Sequence, residues 1–274
     1  MEEMEREKEG GVKERTDTEI RWEMDMKREE KMRVLIIIPA YNEAENIVQV
    51  VKHMMEEAPQ YDYLVINDGS TDSTLDLCRR ENFHYLDLPI NMGIGGAVQA
   101  GYVYARKCDY DIAVQMDGDG QHDIAYLDRL LAPILSGEAD VVIGSRFLEK
   151  EGFQSSVSRR MGINILSALI WLATGKRIMD VTSGYRAVNK MFIKIYSEDY
   201  PMDYPEPEAI VAAIMHLGRV KEVPVQMRAR EGGTSSITFK KSVYYMIKVT
   251  LAILICRMGY GIRRAKREGT EKNA

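Results

Sequence analysis

The chain has 274 residues, 45% of them hydrophobic, and a formal net charge of −5. That supplies core material for one large domain or two small ones and points away from a nucleic-acid partner. Cys78, Cys108 and Cys256 are odd in number, widely spaced and never paired as Cys-x-x-Cys, which argues against a disulfide framework and a zinc ribbon and fits a reducing compartment.

Residues 1–31 mix both charge signs with few apolar residues. Such a segment cannot bury enough surface to offset chain entropy, so a disordered or loosely helical extension is expected. It lacks the apolar stretch of a secretory signal, and Met26 and Met32 are alternative candidate starts. Arg33 to Ile38 is a continuous β-branched run ended by Pro39, the pattern of a strand buried on both faces. Glu43 to Glu57 places Ile47, Val50, Val51, Met54 and Met55 at helical spacing.

The same alternation continues. Strands are predicted at Tyr61 to Asn67, Phe83 to Leu88, Ile112 to Met116 and Val141 to Ile143, with helices through about Arg80, over Met92 to Lys107 and over Ile124 to Leu135. Ser70 or Thr71 is the candidate N-cap of the second helix. Strands alternating with helices predict an open, mostly parallel α/β sheet, whose ligands bind outside the carboxyl ends of the strands. The loops at Tyr41, Asp68, Asn91, Asp117 and Ser145 all fall there.

Beyond Gly144 the pattern changes. Met161 to Ala173 is apolar but too short to span a bilayer, and Arg159, Arg160, Lys176 and Arg177 flank it, so an interfacial helix is expected over about 160–173. A strand follows at Tyr185 to Val188, then a helix opened by Pro205-Glu206-Pro207-Glu208 and closed by Gly218, then a strand at Val220 to Val225. A second apolar segment, Val243 to Cys256, carries Lys240 and Lys241 before it and Arg257, Arg263 and Arg264 after it. Basic flanks suit an anionic lipid surface, and a helix packed on the sheet is the alternative.

The residues richest in chemistry are Asp117-Gly118-Asp119-Gly120-Gln121-His122. Two carboxylates this close repel unless a cation lies between them, and Asp117, Asp119 and Gln121 offer only hard oxygen ligands, which suit Mg²⁺ or Mn²⁺. A polar turn is the plain alternative. An EF-hand loop fails because His122 stands at its glycine position and a strand precedes it. Gly93-Ile94-Gly95-Gly96 is not a dinucleotide fingerprint, since Val98 occupies the third glycine position. Arg228 and Arg230, beside Gly232 and Gly233, are candidate anion holders. Glu206 or Glu208 is a candidate placed carboxylate, and both also suit the helix dipole.

Pro39-Ala40-Tyr41-Asn42-Glu43, Asn67-Asp68-Gly69-Ser70-Thr71-Asp72, Asn91-Met92-Gly93, Asp117 to His122, Gly144-Ser145-Arg146, Ser183-Gly184-Tyr185-Arg186 and Glu222-Val223-Pro224-Val225 occur in register. Over about residues 33–240 this pattern resembles the family 2 glycosyltransferases, above all the dolichyl-phosphate-mannose-synthase-like, polyprenyl-phosphate branch. The resemblance implies a GT-A fold over 32–238, followed by a membrane-associating segment at 239–274. It implies inverting transfer of a hexose from a GDP- or UDP-sugar at the cytoplasmic membrane face, with Mg²⁺ or Mn²⁺ as cofactor. Pro39, Tyr41, Glu43, Asp68, Asn91 and Asp117 would hold the donor nucleotide, and Asp117, Asp119 and Gln121 the metal. Asp119, Glu208 and Arg146 would carry catalysis. Arg146, Arg228, Arg230 and Ser235 would hold an acceptor phosphate. Two positions depart from the family pattern: Asn67 stands where the first of two acids is common, and Gly118 where alanine is usual.

Three functions follow as expectations. The first is transfer to a polyprenyl phosphate, with the membrane surface and a small membrane protein as partners. The second is transfer to a glycan hydroxyl, which requires a base such as Glu208 or Glu206. The third is a non-catalytic nucleotide-sugar-binding or membrane-assembly subunit, against which the intact acid pair argues.

Overall fold

The computed structural model describes residues 32–149, 157–202, 205–228, 248–251 and 255. Strand β1 (Val34–Ala40) is buried at every position, as its unbroken apolar run requires. Helix α1 (Ile47–Glu57), strand β2 (Asp62–Asn67), helix α2 (Thr74–Arg80) and strand β3 (Tyr85–Asp87) follow. Next come α3 (Gly93–Lys107), β4 (Ile112–Gln115), a 3-10 turn (Ile124–Tyr126), α4 (Leu127–Leu135) and β5 (Val141–Ser145). The chain continues through α5 (Val157–Thr174), β6 (Arg186–Asn189), α6 (Lys190–Glu198), α7 (Pro205–Met215) and β7 (Val220–Pro224).

The seven strands form one sheet in the order β3-β2-β1-β4-β6-β5-β7. Neighbouring pairs are parallel except those involving β6, which runs antiparallel to both β4 and β5. From β1 the chain first builds outward to β3, then returns to lay β4 on the other side of β1. That reversal leaves a crevice outside the carboxyl ends of β1 and β4, the place where open α/β sheets receive ligands.

Alternate residues feed two cores. On one face Leu35, Ile37, Ala113, Ile143 and Val188 meet α3, α5, α6 and α7, and on the other Ile36, Ile38, Val65, Val114 and Val142 meet α1, α2 and α4. Each fully buried aliphatic side chain contributes about 1.5–3 kcal/mol. Gly101 lets α3 approach closely, since a Cβ there would collide with the Ile37 side chain.

Three elements differ from the sequence expectation. Helix α2 starts at Thr74, not after Ser70, because the Asp72 carboxylate takes the Thr74 N–H at 2.9 Å and the Ala44 N–H at 3.1 Å, holding residues 70–73 as a loop. Helix α6 was not anticipated. Asn189 caps it by accepting from the Phe192 N–H at 3.1 Å, and Phe192, Ile193 and Tyr196 turn to the core. Helix α5 is not solely interfacial, since Ile163, Leu166, Ile170 and Ala173 are buried while Met161 (64% exposed), Ile165 and Leu172 (69%) form an outward apolar stripe. Of the Val243 to Cys256 segment, the described residues are helical, with Val249 buried in the α5–α7 layer and Leu251 and Ile255 exposed.

Candidate active site

Loop 39–43 leaves β1 through a sharp turn at Asn42, whose φ is +55°. Asparagine tolerates this left-handed conformation and uses its short amide locally. Its Oδ1 accepts from the Thr71 N–H at 2.8 Å and the Asp72 N–H at 3.3 Å, while its own N–H donates to Ser70 Oγ at 3.0 Å. The Glu43 N–H donates to Thr74 Oγ1 at 2.9 Å. The loops after β1 and β2 are thus sewn together. Burial would raise the Asp72 carboxyl, but hydrogen bonds from Thr74 and the Ala44 amide outweigh it and hold the group below its ordinary value.

Asp68 is buried at the end of β2 and takes the Met92 N–H on Oδ1 at 2.7 Å, drawing in the loop before α3. Gly69 has φ +64°, and a Cβ there would lie 2.7 Å from Asn91 N, so only glycine permits that approach. Asn91 caps the turn by accepting from the Gly93 N–H at 3.0 Å. Asn67 is buried and donates to Asp87 Oδ1 at 2.7 Å; an acid there would face Asp87 with like charge, which accounts for the amide at this position.

Asp117 and Asp119 follow β4. Gln115 Nε2 donates to Asp117 Oδ1 at 3.2 Å, and the Asp117 N–H donates to His122 Nδ1 at 2.9 Å. The His122 ring stacks on Tyr185 at 4.9 Å between centroids. Burial pushes the Tyr185 hydroxyl upward, with Asp123 adding to the shift, so the phenol stays neutral, and it donates to the Asp123 carbonyl at 3.3 Å. Asp119 Oδ1 accepts from the Gln121 N–H at 3.0 Å, and Gly120 supplies the turn with φ +76°. Gly118 is tight rather than loose: a Cβ would stand 3.0 Å from the Pro39 carbonyl oxygen.

These loops enclose a pocket of ≈ 410 Å³ lined by Pro39, Tyr41, Glu43, Asp68 and Asn91 on one wall and by Asp117, Gly118 and Asp119 on the other. Seven of the residues expected to bind donor or metal therefore meet in one cavity. Gln121 is not part of that wall; its backbone carbonyl accepts from the Arg228 backbone N–H at 2.9 Å. Arg228 lies on the far side of the Asp119 turn, against Asp123 at 3.1 Å. Arg146 is 6% exposed, its guanidinium paired with Asp180 at 2.6 and 2.7 Å and with Thr182 Oγ1 at 3.0 Å. Glu206 and Glu208 are half-buried in the first turn of α7. Arg230 and Ser235 lie outside the described residues.

Motif reasoning missed several groups that support the site. Asp180 is fully buried, and its N–H and that of Met179 each donate to a Glu222 carboxylate oxygen at 2.8 Å. Gln115 looked like an ordinary strand residue. Nothing in its local sequence signals its contact with Asp117.

Among the described residues no group of three or more His, Cys, Asp or Glu is placed to hold a metal ion. The Asp117 and Asp119 carboxylates on one side of the pocket fit a divalent cation whose remaining ligands would be a bound molecule's phosphate oxygens and water. The family model described as Glycosyl transferase family 2 matches residues 35–196, more than half of the chain.

The chain belongs to glycosyltransferase family 2. It is similar to the polyprenol monophosphomannose synthase of Mycolicibacterium smegmatis, at 31% identity across 79% of this chain and 85% of that one. The undecaprenyl-phosphate mannosyltransferase of Micrococcus luteus is 32% identical across 76% of this chain and 88% of that one. The fold is GT-A: the glucosyl-3-phosphoglycerate synthase of Mycobacterium tuberculosis, crystallised with Mn²⁺, uridine diphosphate and glucosyl-3-phosphoglycerate, matches with a TM-score of 0.62 at 19% identity, over 83% of this chain and 80% of that one. As a family 2 glycosyltransferase the chain is an enzyme, and no helix among its described residues is long and apolar enough to cross a membrane.

Proposed function

We propose that this glycosyltransferase moves a hexose from a GDP- or UDP-sugar to a polyprenyl phosphate at the cytoplasmic face of a membrane, with inversion at the anomeric carbon. The observation that carries this proposal is the single pocket joining Tyr41, Glu43, Asp68 and Asn91 to Asp117 and Asp119. Its first wall suits a nucleoside and its second a diphosphate. The names of the Mycolicibacterium and Micrococcus relatives support a polyprenyl-phosphate acceptor, and the Mn²⁺ and uridine diphosphate of the structural neighbour support a divalent metal.

Asp117 and Asp119 would hold Mg²⁺ or Mn²⁺, while Gln121 shapes the Asp119 turn through its backbone. The cation supplies neutralisation of the charge that develops on the departing diphosphate. A phosphate oxygen of the acceptor attacks the anomeric carbon from the side opposite the diphosphate, and the bond to the diphosphate breaks. A phosphate monoester, with a second pKa near ~6, is already largely ionised at neutral pH and needs no general base. Arg228, Arg230 and Ser235 are the proposed acceptor-phosphate set. Arg146, expected in that set from the sequence, is instead committed to Asp180, so its part would be to hold the loop after β5. The exposed stripe of Met161, Ile165 and Leu172 would rest on lipid, bringing the pocket to its substrate.

Incubation with Mn²⁺, a panel of GDP- and UDP-sugars and a short polyprenyl phosphate should yield a chloroform-soluble sugar lipid. Transfer only to water-soluble glycans would overturn the acceptor assignment. Glu208→Gln should keep most of its turnover. A fall of about 10²–10⁴-fold would instead identify Glu208 as a base acting on a hydroxyl acceptor.

A further inference from the structure

The Ser183-Gly184-Tyr185-Arg186 stretch has no part in the pocket wall, yet it lies against one of the pocket's acids, Asp117. A Cβ on Gly184 would stand 2.8 Å from Asp117 Oδ2, 3.2 Å from its Oδ1 and 3.2 Å from Gln115 Nε2. The Gly184 backbone therefore lies so close to the Asp117 carboxylate that no side chain fits between them. Gly184 has no left-handed φ, so space, not conformation, requires glycine there.

Arg186 holds that backbone in place. It is 1% exposed, among the largest fully buried side chains of the described residues, and sits opposite Gln115 on β4 and Ile143 on β5. Its Nε and Nη2 both donate to the Ser183 carbonyl, at 3.2 and 2.7 Å, and its Nη1 donates to the Glu206 carbonyl at 3.2 Å. A buried cation is costly, and a planar fork bridging two carbonyls from separate segments recovers part of that cost. The side chain thus ties the loop on Asp117 to the first turn of α7, where Glu206 and Glu208 stand.

We propose that Gly184 and Arg186 are positioning residues of the transferase site: Arg186 pins the Ser183–Gly184 backbone, and that backbone sets where the Asp117 carboxylate stands relative to α7. The inference rests on the proposed metal-dependent transfer and predicts that metal affinity responds to groups that touch neither metal nor substrate. Removing the strap lets Asp117 rotate out of register with Asp119. Adding a methyl at 184 pushes the same carboxylate directly.

The test measures Mn²⁺ binding in the presence of a nucleoside diphosphate, by paramagnetic resonance of free Mn²⁺, beside transfer kinetics and thermal unfolding. Gly184→Ala should weaken Mn²⁺ binding about tenfold or more and raise the Mn²⁺ concentration for half-maximal transfer by the same factor, with circular dichroism and Tm near wild type. Gly184→Val should be worse. Arg186→Lys should retain part of the affinity that Arg186→Met loses. Gly184→Ala serves where Arg186 variants fail to fold. Wild-type Mn²⁺ affinity in a folded Gly184→Ala enzyme overturns the inference, as does a loss of Tm and turnover with metal affinity unchanged. A wild-type protein that binds no Mn²⁺ with any nucleoside diphosphate overturns the functional proposal beneath it.

Discussion

The four strands β1–β4 and the three strands β5–β7 build the same sheet by different means. In the first group the strands are parallel, and the loops are joined by short polar side chains bonding to nearby backbone, as at Asn42, Asp68, Asp72 and Asn91. In the second group an antiparallel strand is inserted, and ions at most 6% exposed do the joining: Arg146 with Asp180, and Arg186 with two carbonyls. The contrast separates two duties. The first region presents polar loops to the pocket, while the second keeps a buried ionic frame behind a surface that exposes apolar residues.

The widest expected effect comes from the seam between the regions. Asp119→Ala removes half of the acid pair, and losing ~4 kcal/mol of charge stabilisation lowers transfer about a thousandfold. A discontinuous transfer assay at saturating donor checks it, and unchanged turnover would remove Asp119 from the site. Next, Asp180→Ala leaves the Arg146 guanidinium buried without its carboxylate, which costs roughly 3–5 kcal/mol. The expected fall in Tm is about 10 °C for a domain of this size. An exposed pair would give almost nothing, so a change of a degree or less would show that the second region is not held by buried charge.

A third test addresses the outward stripe. The double variant Ile165→Glu and Leu172→Glu should abolish sedimentation with anionic vesicles while leaving Tm within a few degrees, because both positions are exposed. Retained vesicle binding would move the lipid contact elsewhere. The smallest effect is expected in the first region. Asn42→Ala removes one acceptor serving two N–H groups and places alanine at φ +55°, costing about 1–2 kcal/mol. Nucleotide affinity should drop several-fold by calorimetry, with Asn42→Gly recovering the backbone part. The same junction is sensitive to acid. Because the folded Asp72 carboxyl is held below its ordinary value, its contribution is complete above the ordinary aspartate range of ~3.9 and disappears as pH falls through the lower folded value.

The amino-acid sequence by itself determined most of the first region. Continuous β-branched runs specified buried parallel strands, and the candidate site residues follow the ends of β1, β2, β3 and β4 by a few positions. Alternation and turn chemistry thus put Tyr41, Glu43, Asp68, Asn91, Asp117 and Asp119 at one edge of the sheet, where they line one pocket. The asparagine at 67 and the glycine at 118 were visible as departures, but only their neighbours Asp87 and Pro39 gave them a reason. Tertiary structure alone decided that β6 runs backward between β4 and β5, since a strand of four residues carries no direction in its own sequence. It decided that Arg146 faces Asp180, 34 residues away, and that α5 divides its apolar surface between core and solvent. It also decided that Gly184 and Arg186 stand behind Asp117. Local pattern records spacing within one element, whereas buried ion pairs and close backbone approaches depend on which distant segment arrives opposite.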